Sequence, residues 1–209
     1  SLDVGDVLFQ IAPRINAAGR VGSARAALDL LLADGQAEAR KLAHELDLLN
    51  TQRRDIDAIV TEDALAAARA QVSENDPAAL VLWSEEWHRG VVGISAAKVV
   101  EAFGRPAMLF ACEGDLAVGS ARSVPGVDIK TALDECAELM ERYGGHAAAA
   151  GATMRVENLE ALARSLGSAV ARVSAEPKAA VHFVDAVLQP GELDPRLAGF
   201  LYSLGPFGT

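Results

Sequence analysis

The chain has 209 residues, 51% apolar and 23% charged, with a mean hydropathy of +0.18, which suits one moderate folded domain with appendages. No apolar run approaches the ~18–20 residues of a membrane span, and no basic segment leads into a short apolar one as in an export signal. The net charge of −10 argues against a general nucleic-acid binder, and Cys112 and Cys136, far apart and without C-x-x-C spacing, read as buried reduced thiols of a cytoplasmic protein.

In chain order, residues 7–22 read as a loop punctuated by Pro13, Asn16, Gly19 and Gly22. Ser23 is placed to cap a short helix that Asp34-Gly35 ends. Leu42, Leu46, Leu49, Arg53, Ile56 and Val60 then form one stripe on a long helix from about Gln36 to Gln71, with Arg53 interrupting it and expected to snorkel. Ser73 to Pro77 is the clearest boundary, after which strands and helices alternate. Strands are expected over 78–83, 107–112, 116–122 and 149–156, with a hairpin at Glu113-Gly114 and a turn at Pro125-Gly126. Helices are expected from Gly90 to Phe103, from an Asp128 cap to Arg142, and along Leu159, Leu162, Leu166, Val170 and Val173. Tyr143-Gly144-Gly145-His146 reads as a turn that ends the second of these, and a further strand (181–188) and short helix (193–204) follow. The alternation implies an α/β fold. The chain begins at Ser1 without a methionine and ends in a glycine-rich loop, so it is expected to be part of a longer protein.

Local charge differs from the net charge. Residues 11–28, 87–100, 116–127 and 143–156 hold no Asp or Glu, where the chain average would give about eight, and local field rather than net charge steers an anionic ligand. These stretches carry Arg14, Arg20, Arg25, Arg89, Lys98, Arg122, Arg155, His88 and His146, and read together as one phosphate-binding surface. His88-Arg89-Gly90 precedes a helix expected to carry Gly93 in its second turn, and helix N-termini suit phosphate. Ser120 and Arg122 fall on one face of a strand, a hydroxyl donor beside a bidentate guanidinium. Arg14, Asn16 and Arg20 share a loop; Gly144-Gly145 allow close backbone approach, and His146 can donate to an anion. Taken singly, each also admits a structural role: a solvated loop, strand-edge polarity or a plain turn.

Catalytic signatures are missing. No D-x-D pair lies on one strand, Asp55 and Asp57 diverge on a helix, Glu85 and Glu86 read as solvated, and Ser120 and Ser123 have no base and acid partners. Trp83 and Trp87 could stack on bases, Trp83 being the better core candidate.

Ile11-Ala12-Pro13-Arg14-Ile15-Asn16-Ala17-Ala18-Gly19-Arg20, Trp87-His88-Arg89-Gly90-Val91-Val92-Gly93-Ile94, Gly119-Ser120-Ala121-Arg122-Ser123 and Gly144-Gly145-His146-Ala147-Ala148-Ala149-Ala150-Gly151 occur here in the order found in the RecJ family, which the sequence resembles. That family comprises single-strand-specific 5′→3′ DNA exonucleases of the DHH/DHHA1 phosphoesterase superfamily, and the resemblance covers nearly the whole chain. It implies a loop, short helix and long connector helix over 1–76 and a DHHA1-type domain, a mixed sheet flanked by helices, over 77–175. Residues 176–209 would start an OB-associated module, Gly205 to Gly208 resembling the segment that leads into it. It further implies that Ser120 and Arg122 grip a 5′-terminal phosphate with help from Arg20, Arg14 and Asn16. His146, with the Gly144-Gly145 backbone, would contact the phosphate in a supporting catalytic role, and His88-Arg89 would line the cleft. In such enzymes a DHH domain holds Mn²⁺ or Mg²⁺ through Asp and His. The DHH motif is missing from this sequence, so the chain is expected to hold no metal and to cleave nothing by itself. The implied setting is cytoplasmic DNA repair and recombination, with single-stranded DNA, a single-strand-binding protein and a helicase as partners and no membrane. Two alternatives stay open: an oligoribonuclease or cyclic-dinucleotide phosphodiesterase of the same superfamily, and a replication-scaffold relative without a metal site.

Overall fold

The computed structural model describes residues 3–173, 184 and 186–205. They fall into two units, one within residues 14–177 and the other within residues 1–13 and 178–209. In the second unit a π-helical turn spans Asp6–Ile11, and a helix, α7 (Pro195–Ser203), starts at Asp194, whose carboxylate accepts from the Arg196 and Leu197 N–H groups. Of the strand expected over 181–188, residues 184 and 186–188 are described and form no strand, and residues 181–183, 185 and 206–208 lie outside the described residues.

The first unit is a five-stranded sheet with helices on both faces. Its elements are α1 (Ala12–Val21), α2 (Ala24–Leu31), α3 (Gln36–Asn75), β1 (Leu80–Ser84), α4 (Val92–Phe103), β2 (Ala107–Glu113), β3 (Leu116–Arg122), α5 (Ile129–Asp134), β4 (Arg142–His146), β5 (Ala149–Arg155) and α6 (Leu159–Val173). The strand order is β1-β2-β3-β5-β4. β1 and β2 run parallel, joined by the α4 crossover, and every other pair is antiparallel. The mixed α/β architecture is the one expected.

Residues 12–21 are helical, not looped. Pro13 follows closely on the Asp6–Ile11 π-helical turn, and the fully buried Ala17 and Ala18 let α1 pack closely, with Leu46 of α3 in the same cluster as Ala18. Ser23 caps α2 by accepting the Arg25 N–H. α3 runs 40 residues, about 60 Å at ~1.5 Å per residue. Its stripe is buried at Leu46 and Val60, and Arg53 bonds to Asn50 and faces Asp57 rather than reaching for water.

One core lies between the sheet and α5 and α6, centred on Met108, Phe110, Leu133, Met154, Leu162 and Leu166. The other joins the opposite sheet face to α4 and α3 through Leu80, Leu82, Leu109, Val92, Ala96, Val99, Val60 and Ala64. β2 is buried along both faces, while β3 and β5 alternate between buried and half-exposed residues. On the α4 side, helix cover therefore stops at β3, and the remainder of that face is open.

Two further expectations change. The helix capped by Asp128 stops at Asp134, and after a 3₁₀ turn Met140 turns extended, so Arg142–His146 forms an edge strand rather than a helix-ending turn. Sheet pairing with β5 overrides the local helical pattern. The tryptophans also exchange roles: Trp83, at the end of β1, is 39% exposed, whereas Trp87 is 5% exposed and donates its indole N–H to Asp63 of α3 at 2.6 Å. Cys112 and Cys136 are both buried, and burial pushes both thiols up from their ordinary value.

Candidate nucleic-acid interface

The open sheet face is built in rows. Antiparallel register sets Arg122 opposite Ala149 and Ala149 opposite His146; the next row is Ser120, Gly151 and Gly144. Directly paired residues project to the same side, so Ser120, Arg122 and His146 share one face. Only Ala149 and Gly151 stand between β3 and β4, leaving a low floor about 10 Å wide at ~4.8 Å per strand. Beside it a groove of about 380 Å³ is lined by Val118, Arg142, Gly144, Gly151 and Thr153 among others.

The turn between β4 and β5 is held from outside. The Ser123 N–H donates to the Ala148 carbonyl and the Ile129 N–H to the Ala147 carbonyl, both at 3.0 Å. Gly145 adopts φ +150, and a β-carbon there would lie 2.4 Å from the Ala149 oxygen, so glycine is required. His146 is exposed at this edge.

The floor meets two further elements. A β-carbon on Gly93, in the first rather than the second turn of α4, would lie 2.9 Å from Ser120 Oγ and 3.1 Å from Arg122 Nη2. A β-carbon on Gly90 would fall 1.9 Å from the Arg20 carbonyl oxygen, so α1 touches the loop before α4 backbone to backbone. Arg20 returns a bond of 3.1 Å from Nη1 to the Gly90 carbonyl. Arg122 donates to Ser120 Oγ at 2.9 Å and to its neighbour's carbonyl at 2.8 Å. Burial, and then the nearby Arg20 cation, push the Arg122 guanidinium below its ordinary value. Among the described residues, neither Arg20, Arg122 nor His146 forms an ion pair with a carboxylate.

The other candidates lie elsewhere or act locally. Arg14 is ion-paired with Asp47 of α3. Asn16 is exposed on α1. His88 accepts the Gly90 N–H through Nδ1 at 3.0 Å, shaping the loop, and Arg89 makes a long 4.0 Å pair with Glu113. Gly144 lies on the floor itself.

The sequence reading missed a buried polar cluster between α3 and α4. Asp57, 5% exposed, accepts from Lys98 Nζ at 2.8 Å, Ser95 Oγ at 3.2 Å and Thr61 Oγ1 at 3.3 Å, with Arg53 at 3.8 Å. The available signal was Arg53 itself: an arginine inside an apolar stripe calls for an acid at i+4. Among the described residues no group of three or more His, Cys, Asp or Glu side chains is arranged to hold a metal ion.

The DHHA1 domain family model matches residues 75–172. The chain is 35% identical to the single-stranded-DNA-specific exonuclease RecJ of Escherichia coli over 99% of its own length and 37% of that protein. It is 37% identical to the Thermus thermophilus protein of the same name, over 97% of itself and 29% of that protein. The crystal structure of T. thermophilus RecJ in complex with Mg²⁺ superimposes with a TM-score of 0.81 at 37% identity, covering 97% of this chain and 31% of that one. A structure of exonuclease RecJ bound to manganese gives 0.70 at 38% identity over 80% of this chain and 41% of that one. The chain thus spans roughly a third of the length of the curated relatives it matches. With its DHHA1 match and all four motifs in order, the chain is similar to the RecJ exonucleases over nearly its whole length.

Proposed function

We propose that this chain is the substrate-binding half of a 5′→3′ single-stranded-DNA exonuclease and that it holds the strand's 5′-terminal phosphate. One observation carries the reading: Arg122 sits against Gly93 at the start of α4 and Arg20 bonds to the Gly90 carbonyl just before it, with no carboxylate paired to either among the described residues. Two adjacent cations without a counterion fit a dianionic group. The Ser120 hydroxyl adds a donor, and the first turn of α4, where helix N–H groups are free, borders the same spot. A terminal phosphate carries more charge than an internal phosphodiester, so the pocket selects an end. His146, two strands away on the same floor, meets the next part of the backbone. Arg14, Asn16, His88 and Arg89 contribute at the periphery or through the loop they shape.

The metal site belongs to the remainder of the enzyme. The relatives' structures carry Mg²⁺ or Mn²⁺, and the described residues offer no ligand set for either. No bond-breaking step is assigned to this chain, which binds and orients the strand and leaves it uncut. The same reading sets the protein in cytoplasmic DNA repair and recombination, alongside a single-strand-binding protein and a helicase. It is supported by relatives named for their action on single-stranded DNA.

Fluorescence anisotropy of the chain with oligodeoxythymidylate bearing a 5′-phosphate or a 5′-hydroxyl tests the reading. The phosphorylated strand is expected to bind about tenfold more tightly, as suits one charge-assisted group, and Arg122→Ala is expected to erase the difference. Equal binding of both strands by the unaltered chain would refute it, as would degradation of either strand in Mn²⁺.

A further inference from the structure

We infer that Asp57 is a positioning residue that sets the geometry of the phosphate pocket from the far side of α4, an inference that deepens the proposed function and rests on it. α4 lies between α3 and the sheet. Its first turn faces both ways: Gly93 abuts Ser120 and Arg122, while Ser95, fully buried, turns to α3 and donates to Asp57. The Thr61 hydroxyl lies within reach of both, 3.1 Å from Ser95 Oγ and 3.3 Å from Asp57 Oδ1, its one proton serving either. One turn on, Lys98 reaches Asp57 Oδ2 at 2.8 Å and Thr61 Oγ1 at 3.4 Å. Arg53 faces the same carboxylate oxygen one turn earlier on α3. Both carboxylate oxygens are therefore engaged, and two successive turns of α4 are tied to one point on α3.

Apolar packing alone would not give this. The contacts of Val92, Ala96 and Val99 with Val60 and Ala64 are non-directional and would tolerate a slide of α4 along α3. Hydrogen bonds to a buried carboxylate do not tolerate it, because a shift leaves a desolvated charge unpaired. The tolerance on the opposite side is small: Gly90 touches the Arg20 backbone, and Gly93 abuts the Ser120 hydroxyl and the tip of Arg122, which move if it moves. A slide of α4 would therefore change the spacing between Arg20, Ser120 and Arg122. The cluster fixes the pocket without touching its ligand.

The test compares Asp57→Asn, Lys98→Met and Lys98→Arg in the whole chain. Lys98 has a side chain 43% exposed, and with it replaced Arg53 and the Ser95 hydroxyl still face Asp57, so its variants are expected to fold even where Asp57→Asn unfolds. Two readouts are taken. One is the ratio of affinities for 5′-phosphorylated and 5′-hydroxyl oligodeoxythymidylate. The other is the NMR resonance of the Arg122 Nε–H, assigned with Arg122→Lys, which needs no ligand. Asp57→Asn and Lys98→Met are expected to lower the ratio about tenfold and to shift that resonance, since small misplacements of binding groups are amplified in this way. Lys98→Arg, which keeps the pairing, is expected to restore both. An equal change for both strands, in either direction, would mark a role in stability or bulk charge and overturn the inference. So would an unmoved Arg122 resonance. If the unaltered chain does not distinguish the strands, the proposed function fails, and the resonance alone still decides whether Asp57 sets the pocket.

Discussion

Gly90 and Gly93 make the same demand for opposite reasons. A methyl group on Gly93 would press on the Ser120 hydroxyl and the tip of Arg122, both of which can rotate away. A methyl group on Gly90 would press on the Arg20 main-chain carbonyl, which cannot. Gly93→Ala is therefore expected to leave the thermal midpoint nearly unchanged and to lose the preference for a 5′-phosphate. Gly90→Ala is expected to cost about 1–3 kcal/mol, the range for overpacking, because α1 must part from the loop before α4. Parallel denaturation and anisotropy measurements separate the two; equal stability losses would contradict the assignment. The sequence singled out both glycines through the motif that holds them. That one presses on a side chain and the other on a carbonyl could not be read, because their partners lie 27 and 70 residues away.

Among elements, α3 is tied to α4 and the β1–α4 loop in more than one way. Asp57 binds α4, and Asp63, less than two turns on, accepts the Trp87 indole N–H in the β1–α4 loop. Trp87→Phe keeps most of the buried ring and removes that donor. It is expected to lower stability by about 1.5–3 kcal/mol, the usual range for a hydrogen bond to a charged group, as read by urea denaturation. The unaltered chain has a built-in check: iodide should quench the half-exposed Trp83 and leave Trp87 emitting. Quenching of both to the same extent would contradict the burial. The position of α3 was legible because its apolar stripe repeats over many turns, whereas α1 has no such stripe and read as a loop. The β4 strand was not legible. Tyr143-Gly144-Gly145-His146 is short and has no apolar alternation, and its pairing with β5 is a tertiary choice that local propensity does not encode.

At the scale of the molecule, a chain of net charge −10 presents an acid-free floor, and the charge elsewhere opposes a polyanion. Binding is thus expected to rest on few phosphates. With two or three contacts on single-stranded DNA, log affinity should fall with log salt at a slope of about −1.5 to −2, at roughly −0.7 per contact. A slope near about −5 would signal a broad basic track that the described residues lack. The floor exists because α4 and α3 cover the sheet only as far as β3, leaving β5 and β4 bare on that side.

The alternation of strands and helices, the long helix α3, the two buried thiols and the stretches free of acids all follow from the order of residues. Each is written in a local pattern of polarity or spacing, which the chain carries whatever its partners are. Which arginines face each other depended on packing. Arg14 and Arg20 sit six residues apart on one helix, yet one is ion-paired with Asp47 and the other bonds to the Gly90 carbonyl before α4. Register across three strands, not spacing along one, set Arg122 and His146 on a common floor. The same holds for Asp57, whose partners on α4 lie about forty residues away and make a buried carboxylate tolerable only after the helices have packed.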